Sequence, residues 1–174
     1  MNILALDISL RGCGAAMGDG SCPPHTTVAS FAAVSHGKSG KLFRDWLRDT
    51  CLNSPPALII YEAPFRHADK KSAQSITTLL TGLCFTCEVF AAEKNIRCTS
   101  VAISTWRKWF IGKGFPEQAK LEALNMCEFL GWETGGVHDR AEAAGIWAYA
   151  HLKEGNFRGV QKMLSKGSMK DFSA

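Results

Sequence analysis

Ile3-Leu4-Ala5-Leu6-Asp7 and, much later, Leu58-Ile59-Ile60-Tyr61-Glu62 are two short apolar runs that each end on a carboxylate. A run of this length reads as a buried strand, and the acid at its end is costly to desolvate unless something cationic compensates it. Two further acids stand three residues apart in His138-Asp139-Arg140-Ala141-Glu142-Ala143. On a helix that spacing puts both on one face. Carboxylates converging from three segments would repel one another, and a bound divalent metal is the usual remedy. Hard oxygen ligands suit magnesium or manganese. Two such ions about 4 Å apart can clamp the attacking and departing oxygens of a phosphodiester. The pattern therefore points to metal-dependent phosphodiester chemistry. Asp7, Glu62, Asp139 and Glu142 form the metal-ligand and catalytic set, with Asp7 the natural bridging ligand.

Each acid also has a plainer explanation. Asp7 can open a turn before Ser9, and Glu62 can be an ordinary strand-end charge before Ala63-Pro64. Asp139 can cap the last helix, with Glu142 completing a capping box. The joint occurrence of the four, in this order, favours the metal site. His138, next to Asp139, is either a helper in water activation or a surface histidine.

The 174 residues suit one domain with a substantial core, read as residues 1–154, followed by a basic tail over 155–174. Hydrophobic content of 46% and charged content of 21% are those of ordinary globular proteins. A net charge of +4 permits an anionic partner without establishing one. Basic residues recur from Lys153 through Arg158, Lys162, Lys166 and Lys170, either as a solvated tail or as a nucleic-acid-binding extension. The seven cysteines, an odd count, read as small hydrophobes of a reduced, cytoplasmic protein. No signal peptide and no apolar span of about 18 residues is expected, hence no membrane. Cys84 and Cys87 form the one CxxC, inside a helical pattern and without a second Cys/His pair at zinc spacing.

Strands are expected over 2–8, Cys13–Met17 and Thr27–Val34, joined by glycine-punctuated turns into an antiparallel meander. Leu42, Phe43, Trp46, Leu47 and Thr50 recur at helical spacing, predicting a helix near 40–52. The strand Ala57–Glu62 follows Pro55-Pro56. Ile76, Leu79, Leu80, Leu83, Cys84, Cys87 and Phe90 then trace the apolar face of a long helix over 72–94. Its apolar face either covers the sheet or meets a second copy of the chain, and periodicity does not decide between the two. A strand Ile96–Val101 and a short helix near 104–110 come next. After the Gly112-Lys113-Gly114 loop, Pro116 is expected in the first turn of a helix carrying Leu121, Leu124, Cys127 and Leu130 on one face, with Gly131 just past its end. The last helix spans 138–153. The fold class is α/β, a mixed five-stranded sheet of three antiparallel strands and then parallel ones, flanked by helices.

Phe65-Arg66-His67-Ala68-Asp69-Lys70-Lys71, directly after Glu62, sets an aromatic beside clustered cations. That mixture suits base stacking flanked by phosphate contacts, with Phe65, Arg66, Lys70 and Lys71 as the contacting residues. Trp106-Arg107-Lys108-Trp109 repeats it, although both tryptophans read better as core. Lys113 sits in a glycine loop able to approach a nucleic-acid backbone.

Ala5-Leu6-Asp7-Ile8-Ser9, Ile59-Ile60-Tyr61-Glu62-Ala63-Pro64-Phe65, the stretch 106–120 around Gly112-Lys113-Gly114, and the pair Asp139/Glu142 together resemble the RuvC-type Holliday junction resolvases of the ribonuclease H-like superfamily, bacteriophage-type members above all. The resemblance runs over roughly residues 2–150. It implies a ribonuclease H-like fold and a homodimer that binds four-way DNA junctions. It also implies paired nicks made with magnesium or manganese, two ions per site. By position it gives Asp7, Glu62, Asp139 and Glu142 the ligand roles, Phe65 the junction-stacking role, and Arg107, Lys108, Lys113 and Lys120 DNA contacts. The chain departs from the pattern at Glu142, where an aspartate is commoner, and at Ser9, where a glycine often stands. Arg107 and Gln118 occupy positions where lysines are frequent, and the basic tail lies beyond the match.

Other readings are a nuclease for assorted DNA branches or RNA–DNA hybrids, and a structural junction binder with a dead site. The glycine-rich hairpin after Asp7 is also similar to actin-like ATPases and sugar kinases, but those need two such domains, and no GxxxxGK[ST] sequence is present.

Overall fold

In the computed structural model, residues 1–9, 12–33, 35–64 and 71–155 are described, the side chains of 71–75 excepted. Five strands form one sheet: β1 (Ile3–Asp7), β2 (Cys13–Gly18), β3 (His25–Ala29), β4 (Leu58–Glu62) and β5 (Arg97–Val101). Their order across the sheet is β3-β2-β1-β4-β5. β3, β2 and β1 run antiparallel, whereas β1, β4 and β5 run parallel, so the ends of β1 and β4 lie side by side. This is the mixed sheet the sequence predicts.

Alternation of side chains along a strand decides what each face meets. Ile3 and Ala5 of β1, with Leu58 and Ile60 of β4, pack against α3 (Ile103–Phe110), α4 (Ala119–Phe129) and α5 (His138–Lys153). Leu4, Leu6, Ile59 and Tyr61 face the other way, onto α1 (His36–Leu52) and α2 (Lys71–Glu93). The same parity points Asp7 and Glu62 toward the α3–α5 layer.

Helix α5 is buried nearly all round, and its alanines let it lie flat on β1 and β2. Two glycines make the approach possible. A Cβ on Gly14 would overlap the backbone carbonyl of Asp139, and one on Gly145 would come within 2.7 Å of the Trp106 ring. At the far end of α5 the Trp147 indole N–H donates to the carbonyl of Gly18 at 3.1 Å.

Several local expectations are corrected. Strand β3 is His25–Ala29 rather than Thr27–Val34, because Phe31 leaves the sheet to pack on Phe43 and Trp46. Val34 lies outside the described residues. Helix α1 starts at His36, where the Ser35 hydroxyl accepts from the Lys38 N–H, and its buried stripe is Ser39, Phe43, Leu47 and Cys51, leaving Leu42 exposed. Pro116 is not in a first helical turn: α4 begins at Ala119, and Leu121 is exposed while Ala123 and Leu124 are buried. Gly131 does close that helix, at φ 69°. The expectation of no membrane-length apolar stretch also fails by composition, since Ile76–Glu93 is long and apolar enough. Its Leu83, Cys84, Cys87 and Phe90 are buried against the sheet, while Ile76 and Phe85 are exposed. Cys84 and Cys87 are free thiols in that core, and burial pushes Cys84 up to about 12, in keeping with a packing role.

Candidate metal centre

The end of β1 delivers Asp7 under the first turns of α5, and the packing of Gly14 on the Asp139 backbone sets how close that helix comes. Asp139 and Glu142, one helical turn apart, face Asp7. One oxygen from each of the three carboxylates lies within 4.8 Å of the others, and among the described residues this is the one such group of potential ligands. Asp7 and Glu142 are buried, and Asp139 is half-buried at the edge. The alternative in which Asp139 and Glu142 cap the helix does not hold, because the N-cap is Val137 and no side chain caps it.

The electrostatics are those of crowded acids. Burial first, then Glu142 and Glu62, hold the Asp7 carboxyl well above the usual carboxylate range, while Lys120 acts in the opposite direction. The Oδ2 atom of Asp7 is buried without a hydrogen-bond partner. Glu142, 2% exposed, is paired with Arg107. The Lys120 ammonium lies 3.1 Å from Asp139 and 3.3 Å from Glu142. Burial works against that ammonium, but Glu142, Asp139 and Asp7 outweigh it and push it up to about 12.

Glu62 stands beside this group without belonging to the close triad. The indole N–H of Trp106 donates to its carboxylate at 2.8 Å. Burial raises the Glu62 carboxyl, the Trp106 hydrogen bond opposes the rise, and Glu142 adds to it. The structure thus brings three of the four predicted acids together and holds the fourth next to them.

Two residues read from sequence as DNA contacts, Arg107 and Lys120, are engaged with the acids instead. A guanidinium or ammonium answers a carboxylate as readily as a phosphate, so residue type alone could not separate the two. Trp106 is core, as expected, and also a hydrogen-bond donor to the site, which helical spacing could not reveal. Lys108 and Lys113 are exposed. Lys71 opens α2, its side chain not being described, and Phe65, Arg66 and Lys70 lie outside the described residues, as does the tail from 156 onward. His138 is exposed and bonds through Nδ1 to the carbonyl of Lys120 at 3.1 Å, fastening the start of α5 to α4.

An all-oxygen donor set with a buried, unpartnered carboxylate oxygen fits a hard divalent cation, which would relieve the repulsion that raises Asp7. The ends of parallel strands in an open α/β sheet are also where such folds place ligands.

No family model and no curated protein matches the sequence. The fold is similar to that of RuvC from Thermus thermophilus, with a TM-score of 0.65 at 15% identity over 89% of this chain and 97% of that one. The same protein in complex with a Holliday junction substrate gives a TM-score of 0.65 at 13% identity, with the same coverage. The yeast mitochondrial Holliday junction resolvase Ydc2 gives a TM-score of 0.53 at 10% identity, over 94% of this chain and 82% of that one. At such identities the likeness establishes the fold, and the fold is the RuvC-type, ribonuclease H-like one.

Proposed function

We propose that this chain is a divalent-metal-dependent endonuclease that resolves four-way DNA junctions by paired phosphodiester cleavage. The observation that carries the reading is the meeting of Asp7, Asp139 and Glu142 at the end of β1, with the Asp7 Oδ2 left unpartnered in the interior. A site for a phosphate anion gains nothing from clustered negative charge, so a plain DNA binder has no use for this arrangement. The fold shared with a protein solved on a Holliday junction supports branched DNA as the substrate.

In this reading Asp7, Asp139 and Glu142 hold the metal, magnesium or manganese, with Glu62 alongside. Bound divalent ions supply an activated water and neutralise charge on the phosphoryl oxygens. The protein's own part is positional. β1 and α5 present three carboxylates on rigid elements, Arg107 fixes Glu142, and Lys120 balances charge at the mouth of the site. Exposed Lys108 and Lys113, together with Phe65, Arg66, Lys70 and Lys71, are assigned to the DNA, Phe65 as the base-stacking aromatic. Paired nicks at symmetric positions require two active sites, hence a homodimer.

The test is cleavage of a fixed four-way junction with and without magnesium, with nicks mapped on all four strands. Symmetric paired nicks that disappear without metal are expected, and Asp7→Asn should bind the junction without cutting it. Cutting by Asp7→Asn at the parental rate refutes the site. Tight junction binding by the parental protein with no cleavage under any divalent metal refutes the activity and leaves a structural binder.

A further inference from the structure

Adjacent residues on α3 each hold a different acid of the site. The indole N–H of Trp106 donates to Glu62 at 2.8 Å, and the Arg107 guanidinium, lying 5.3 Å from the centroid of the Trp106 ring, pairs with Glu142. The Trp106 side chain is fully buried, and the helix facing it carries a glycine, Gly145, where any larger residue would strike the ring. The tryptophan is therefore locked in one orientation, with its single donor aimed at a carboxylate. Phe110 and Gly145 would be served equally by any large apolar ring. The hydrogen bond to Glu62 is what only an indole supplies here.

From this we infer that Trp106 is the positioning residue for Glu62: its N–H fixes the rotamer of the one acid that stands outside the three-carboxylate group, and thereby fixes how that acid meets a metal bound there. The inference rests on the proposed metal site. It goes beyond that site in assigning a role to a core residue that touches no reacting atom. A carboxylate accepts through several lone pairs, so Glu62 can keep the indole donor on one oxygen and offer the other outward. Partners of this kind, behind a ligand, typically alter metal affinity by about 10- to 100-fold when removed. Glu62 also stands at the end of β4, on a strand otherwise fixed by its ladder to β5, so its side-chain torsions are the freedom left for Trp106 to restrain.

The experiment is manganese binding by calorimetry on the full chain and on Trp106→Phe, which keeps a large ring and removes the donor. Junction cleavage is followed in parallel as a function of magnesium. Trp106→Phe is expected to melt cooperatively, to bind manganese about 10-fold more weakly, and to need about 10-fold more magnesium for half-maximal cutting. In a Glu62→Ala background the same substitution should change manganese affinity hardly at all, because the residue it acts through is gone. A Trp106→Phe protein that binds manganese like the parent overturns the inference, and so does an equal loss in both backgrounds, which would mark a purely structural ring. Should Trp106→Phe fail to fold, the parental protein still gives an answer. The Trp106 indole resonance should move on magnesium addition in the parent and stay still in Glu62→Ala, and a resonance unmoved in the parent refutes the link. Because binding is read without cleavage, a protein that never cuts a junction would sink the proposed activity while these comparisons still decide the role of Trp106.

Discussion

Asp7→Asn should remove cleavage and, in the absence of metal, make the protein more stable. Asp7 is buried, its Oδ2 has no partner, and its acidic neighbours are Glu142, Glu62 and Asp139, with Lys120 as the opposing cation. Burial and those neighbours lift its carboxyl well above the ordinary value of 3.8. The folded protein therefore holds this proton more tightly than the unfolded chain does. Its contribution to stability is complete below that ordinary value and is lost as pH rises through the higher folded-state value. Above its ordinary value, placing this group in the interior opposes folding, whether it ionises there or keeps its proton. Asparagine keeps the shape, carries no charge and can donate to the facing carboxylates.

Relieving an unsatisfied buried polar group is worth about 1–3 kcal/mol. In a domain of this size each kcal/mol moves the melting temperature by roughly 2–4 °C. The variant should thus melt roughly 2–12 °C above the parent in a chelator at about pH 8. The gap should close as pH falls below the ordinary value of 3.8, where Asp7 becomes protonated in both states. Magnesium or manganese should raise the parental melting temperature and leave that of the variant nearly unchanged. Scanning calorimetry across that pH range, with and without metal, reads all of this. A variant less stable than the parent in chelator at high pH would falsify the reasoning, since Asp7 would then be a structural acid whose charge the fold uses.

Arg107→Ala should destabilise the protein by about 3–5 kcal/mol, because it leaves Glu142 charged, buried and without its guanidinium; urea unfolding measures it, and a cost below about 1 kcal/mol would show the pair to be dispensable. Gly14→Ala should cost about 1–3 kcal/mol and weaken manganese binding, since its methyl group must displace the Asp139 backbone at the start of α5; unchanged calorimetric titrations would mean that the close approach of α5 to β2 does not set the site. Lys113→Ala should weaken junction binding by a similar factor for all sequences and reduce the salt slope by about one. Its melting temperature should be unaffected, as the side chain is exposed.

What could be read from the sequence was what each strand carries locally. Apolar runs ended by acids at positions 7 and 62, and a pair at helical spacing, needed no knowledge of neighbours. Strand alternation then put both strand-end acids on one face, together with Ile3, Ala5, Leu58 and Ile60. What remained hidden depends on pairs distant in the chain. Whether Phe31 continues a strand or turns in toward Phe43 and Trp46 is decided by the α1 surface. α4 starts three residues past Pro116, and the Gly114 before it packs closely on Ser104, a contact no periodicity announces. Glu62 stands apart from the other three acids with its carboxylate on the Trp106 indole N–H, a partner 44 residues away.

Arg107 and Lys120 bear most directly on how the acids and the DNA divide the available positive charge. Both were expected at the nucleic acid, yet their surroundings differ. Arg107 is 11% exposed and committed to an acid that is itself buried, so releasing it toward a phosphate would leave Glu142 in the interior with the rim ammonium of Lys120 as its counter-charge. Lys120 is 55% exposed, bridges Asp139 and Glu142 from the rim, and can swing outward at small cost, since solvent screens a pair of that kind. The same physical rule therefore assigns the two cations to different tasks. The guanidinium belongs to the framework that fixes Glu142, whereas the ammonium is a removable counter-charge that a divalent ion, bound as proposed, would make redundant. Under the proposed function, a displaced Lys120 would stand at the mouth of the site, where the phosphates of the DNA would arrive.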